Sequence, residues 1–137
     1  MWRSGRAICP VDGWFEWSRE GDKEIPWHIR AKFDVPLFLA ALTNWRPYGQ
    51  VPAGTGFVIV AAQAGGGLVD SRGRRPIVLS AAEANRWLDP ELLPEQAGKL
   101  VRERRLGTDT FEWYRVGAGV NDPTINSARL INPVSDV

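Results

Sequence analysis

The order of patterns along this 137-residue chain predicts an α+β domain with a mostly antiparallel sheet. Three observations carry that expectation. Strand-like runs crowd the first 63 residues, two helix patterns follow between residues 80 and 105, and strand character returns at residue 111.

Residues 13–18 and 25–31 are aromatic or β-branched runs separated by REGDKE, whose Gly21-Asp22 pair is good turn chemistry, so they form a hairpin. VPLFLAALT (35–43) and GFVIVAAQ (56–63) are continuous apolar runs of strand length and are expected to be buried strands. Between them, NWRPYGQVPAGTG carries three glycines and two prolines and reads as a surface loop. A second glycine-rich connection, AGGGLVDSRGRRP (64–76), leads to the short run IVL. Ser80 followed by Glu83 makes a capping box that starts a helix, interrupted at Asp89-Pro90. A second helix covers 94–105, FEWYRV (111–116) is a strand, and the tail is polar and turn-rich.

Composition narrows the function classes. At 44% hydrophobic and 24% charged residues, the chain has the mixture of a soluble globular protein, and its default compartment is the cytoplasm. Its net charge of +1 makes no case for nucleic acid by itself. Basic residues instead gather in SRGRRP (Arg72, Arg74, Arg75) and RERR (Arg102, Arg104, Arg105). Seven tryptophans suit stacking on single-stranded nucleic acid, and suit cores and interfaces equally. One His and one Cys, with no H-x-x-H or C-x-x-C spacing, predict no metal, and nothing predicts a cofactor. His28 and Cys9 read as structural residues, and Cys9 has no partner for an internal disulfide.

Glu16 differs. In GWFEW, strand alternation puts Trp14 on its face and Phe15 and Trp17 on the other. A carboxylate among apolar rings loses solvation, which raises its proton affinity and suits acid or base work. From the pattern alone, a water-facing glutamate on an edge strand stays open. So does a solvated turn at Arg72 to Arg75, against phosphate binding by guanidinium forks.

Taken in order, GRAICPVDGWFEW, EGDKEIPWHI, PLFLAAL, FVIVAAQAGGGLVDSRGRRPIVLS and LINPV resemble the SOS response-associated peptidase (SRAP) family of abasic-site processing proteins, from about residue 5 to residue 134. The resemblance implies an antiparallel sheet or barrel core with a few flanking helices, forming one domain over residues 1–137. It implies a monomer that binds single-stranded DNA, associates with the nucleoid there, and joins itself covalently to abasic sites. In that chemistry, an amino-terminal cysteine forms a Schiff base with the opened sugar and then a thiazolidine, assisted by a glutamate, a histidine and an asparagine.

Residue by residue, the family's glutamate falls on Glu16 and its histidine on Arg72. Trp17 matches an aromatic position near DNA, and Arg74 and Arg75 match the basic pair expected near phosphate. Arg72 stays protonated at accessible pH and cannot do the work of an imidazole. The segment bearing the family's cysteine and asparagine has no counterpart, and removal of Met1 exposes Trp2, which has no thiol. The expectation is therefore an amino-terminally truncated or diverged copy with impaired catalysis. The alternatives are a non-catalytic single-stranded DNA-binding remnant and a structural fragment.

Overall fold

The computed structural model describes residues 4–49, 51–63 and 74–135. Their contacts divide into two compact units, one of Met1–Val11, Leu37–Ala62 and Arg75–Leu106, the other of Asp12–Pro36, Gln63–Arg74 and Gly107–Val137.

The first unit is built on strand β4 (Leu37–Thr43), which pairs antiparallel with β1 (Arg6–Val11) on one side and with β5 (Phe57–Ile59) and β8 (Val78–Leu79) on the other. Flanked on both edges, with Ala40 and Leu42 packed against the helices, β4 is buried along most of its length and reads as a continuous apolar run, as a strand buried on both faces must. The run RAICPV lacks alternation and contains a proline, so its own pattern carries no strand signal. It forms β1 at the edge of this sheet, where Pro10 needs no amide hydrogen for a neighbour.

The apolar run 56–63 is not one buried strand. It breaks at Val60 into β5 and β6 (Ala61–Gln63), because Val60 donates to Ala40 O and accepts from Ile77 N outside the β5 ladder. Phe57 and Val58 stay exposed. β6 pairs with β7 (Arg74–Pro76).

Helix α1 (Ala81–Leu88) starts as its sequence dictates, with Ser80 Oγ accepting from the Glu83 amide. It ends at Asp89, before Pro90. Helix α2 (Pro94–Glu103) opens on a proline, and Gln96 Oε1 accepts from the Leu93 amide. Ala84 and Trp87 of α1 and Ala97, Leu100 and Val101 of α2 close a core with Ala40, Leu42, Ile77 and Leu79. Arg6 stacks 5.7 Å above the Trp87 ring and donates to the carbonyls of Trp87, Asp89 and Leu92, where α1 runs out of amide donors.

The second unit holds a three-stranded antiparallel sheet in the order β2 (Gly13–Glu20), β3 (Lys23–Ala31), β9 (Phe111–Arg115). β2 and β3 meet through the two-residue loop predicted from the sequence. Gly21 has φ 61° and Asp22 has negative φ, the pattern of a type II′ turn. Pro26 lies in the central strand but one residue outside the β9 ladder, so only its carbonyl is used, accepting from Val116 N at 3.1 Å. The tail is not featureless: short 3-10 turns cover Ala118–Asn121 and Ala128–Ile131, and Val116 bridges Pro133. Among the described residues, no helix is long and apolar enough to cross a membrane.

Candidate functional site

The register of the β2–β3–β9 sheet sorts its side chains onto two faces. Trp14, Glu16 and Ser18 share one with Ile25, Trp27, Ile29, Phe111, Trp113 and Arg115. Gly13, Phe15, Trp17 and Arg19 share the other with Pro26, His28, Arg30, Glu112 and Tyr114. Glu16 therefore stands opposite Trp27 and beside Trp14, as alternation implied.

Glu16 is half-buried, and its Oε1 accepts a hydrogen bond of 2.9 Å from Trp14 Nε1. Two residues apart on one strand, the indole and the carboxylate lie side by side. Trp14 is held in turn by an edge-to-face contact with Phe111, centroids 5.4 Å apart. Trp27 Nε1 donates to Ser18 Oγ at 2.8 Å. The result is a carboxylate set among indoles whose polar edges are already occupied, so the rings are fixed in orientation around it.

Trp17 projects to the opposite face, half-buried, its Nε1 donating 2.8 Å to Asn121 Oδ1. The basic pair splits by strand alternation: Arg74 is exposed and Arg75 is buried, with 8% of its surface accessible. Arg72 lies outside the described residues. Cys9 sits half-buried within β1. Among the described residues, no group of three or more His, Cys, Asp or Glu side chains could hold a metal ion.

Sequence alone assigns His28 only a structural part, and its surroundings define that part. Tyr114 Oη donates its single proton to Ile131 O at 2.6 Å, so His28 Nδ1 must donate to Tyr114 Oη across 3.0 Å. The neutral ring is thus the Nδ1–H tautomer, and its bare Nε2 lies against Gly13, where an added Cβ would come within 2.7 Å of it. Burial, helped by the charge of Arg30, pushes the imidazole below its ordinary value of 6.5. Tyr114 and Glu112 of β9, Arg30 and Glu24 of β3 and Arg19 of β2 are the titratable or charged groups sharing its sheet face, and Arg30 is tied to Glu112 at 2.6 Å.

Because the folded state disfavours His28 protonation, its contribution to stability is complete above about pH 6.5 and falls as pH drops through the lowered folded value. Denaturant titrations at pH 7.5 and 5.5 should show the parent losing stability, by no more than about 1.4 kcal/mol per pH unit from one group. A His28→Phe variant should show a shallower loss. Equal slopes for both proteins would remove His28 as the cause.

Comparison with known proteins places these elements. The family described as SOS response associated peptidase (SRAP) matches residues 1–123. The chain is 39% identical over 134 residues to the abasic site processing protein YedK of Escherichia coli, covering 98% of this chain and 60% of that protein. It is 30% identical over 132 residues to the abasic site processing protein YoaM of Bacillus subtilis, covering 94% and 57%. A phage-related protein from Bordetella bronchiseptica superimposes with a TM-score of 0.73 at 36% identity, over 85% of this chain and 55% of that one. A Bacteroides thetaiotaomicron protein shares the fold, with a TM-score of 0.82 at 22% identity over 97% and 58%. The chain thus spans less than two thirds of the length of these relatives.

Proposed function

The chain belongs to the SOS response associated peptidase (SRAP) family, and on that premise we propose that it recognises abasic sites in single-stranded DNA. The observation that carries the reading is the Glu16 carboxylate, ordered by the Trp14 N–H on a half-buried aromatic sheet face. A carboxylate so placed can pass a proton to or from a ring-opened sugar. Trp17 offers a ring to a neighbouring base, and the exposed Arg74 supplies positive charge for phosphate, whereas Arg75 is buried and presents none. Arg72, at the position of the family's histidine, serves as a cation and not as a general base.

Thiazolidine formation needs a cysteine whose α-amine is free. Cys9 lies within β1, its nitrogen in a peptide bond, and cannot close that ring. The proposed role of these residues is therefore recognition, and Cys9 is not the nucleophile of a covalent capture.

The test uses labelled oligonucleotides carrying one abasic site, single-stranded or duplex, followed by anisotropy and on a denaturing gel. The expected result is tighter binding to the single strand, weakening steeply with salt, and no covalent band through Cys9. Binding that does not distinguish single strand from duplex would sink the recognition reading. A stable band would show that another amine in the chain captures the sugar.

A further inference from the structure

The loop joining β4 to β5 has a feature that the abasic-site chemistry leaves unused. Tyr48 is 90% exposed and Trp45 49% exposed, on either side of Arg46 and Pro47. Two large rings held in water need a reason, since exposed apolar surface gathered in one place marks a contact.

The loop is anchored at its base. Asn44 donates from Nδ2 to Gly54 O at 3.1 Å and accepts from Gly56 N at 2.8 Å. Thr43 Oγ1 donates to Gly56 O at 2.7 Å and accepts from Trp45 N at 3.0 Å. Gly49 and Gly54 supply the positive φ angles, 94° and 84°, that the turns require. Arg46 folds back to donate to the Trp45 carbonyl at 2.9 Å, which holds its guanidinium beside that residue. At the foot of the loop, Phe57 and Val58 border an open hollow of ≈240 Å³. From Asn44 to Val58 the chain carries one arginine and no acidic residue.

We propose that Trp45, Arg46 and Tyr48 form a second contact surface for single-stranded DNA, on the unit built around β4. The rings take bases by stacking, which tolerates any sequence, and Arg46 takes a phosphate. Anchoring before binding lowers the ordering cost of the complex. An acid-free loop with a guanidinium fits a polyanion, and the planar rings fit bases. The inference rests on the reading that this chain binds single-stranded DNA.

The test is anisotropy with a labelled oligothymidylate, comparing the parent with a Trp45→Ala/Tyr48→Ala double variant and with Arg46→Ala. The double variant should bind about tenfold more weakly and keep the parent's melting temperature, both rings being outside the core. Arg46→Ala should lower the slope of log affinity against log salt by about one phosphate contact. If the parent binds but the double variant binds equally well, the second surface is wrong and the proposed function stands. If the parent does not bind, both fail. If the double variant changes only self-association or protein capture, the loop is a protein-docking surface and the inference is overturned.

Discussion

A Trp87→Ala variant is expected to lose about 3–5 kcal/mol of folding stability, the range for deleting a large buried aromatic. Trp87 is fully buried, at 0% exposure, in the core that α1 and α2 close over β4. Its indole N–H donates 2.8 Å to Ala7 O on β1, so the ring joins the helix to the edge strand as well as filling space. Truncation opens a cavity, leaves the Ala7 carbonyl without that donor, and removes the surface on which the Arg6 guanidinium lies. Trp87→Phe separates the contributions: it keeps most of the packing, loses the N–H, and should cost less than half as much. Urea denaturation of the three proteins measures both. A Trp87→Ala midpoint matching the parent's would mean that this core does not hold the unit together.

The second large effect concerns DNA. With its N–H already given to Asn121, Trp17 has only the face of its ring to offer a partner. Stacking of one base on such a ring contributes about 1–3 kcal/mol, so Trp17→Ala should weaken single-strand binding roughly 5- to 150-fold. Asn121→Ala retains the ring but frees it to rotate, and should lose only a few-fold. Anisotropy titrations at fixed salt give both numbers. Parent-like affinity in a folded Trp17→Ala protein would remove this residue from the DNA surface.

The parts of the fold legible in the sequence are those whose causes are local. The β2–β3 hairpin, with Gly21-Asp22 between two strand patterns, forms where the pattern puts it. Trp14 lies on the face of Glu16, and Ser80 caps α1 as the spacing requires. What stays hidden depends on partners distant in sequence. Asn121 is 104 residues from Trp17, and Tyr114 is 86 from His28, so no window of sequence reveals either bond. β1 is illegible because its pairing with β4, not its own pattern, makes it a strand. The break at Val60 likewise comes from hydrogen bonds to Ala40 and Ile77. The basic pair is a different case. Adjacent positions on a strand face opposite ways, so the neighbouring Arg74 and Arg75 divide into an exposed and a buried arginine by alternation alone.

Two connections of this chain tolerate changes of length very differently. The turn at Gly21-Asp22 is two residues long, and through it β3 is held against β2 with Glu16 opposite Trp27. Inserting or deleting one residue there shifts the register by one and sends the matching side chains to the wrong side of the sheet. Glu16 would then face a different set of neighbours with its own composition unchanged. The connection from Asn44 to Gly56 carries no such parity, since its ends are tied by bonds at its base and length can be added at its tip. Lineages of this chain are therefore free to diversify the tip of the β4–β5 loop by insertion, while the hairpin that presents the carboxylate can diversify only by substitution.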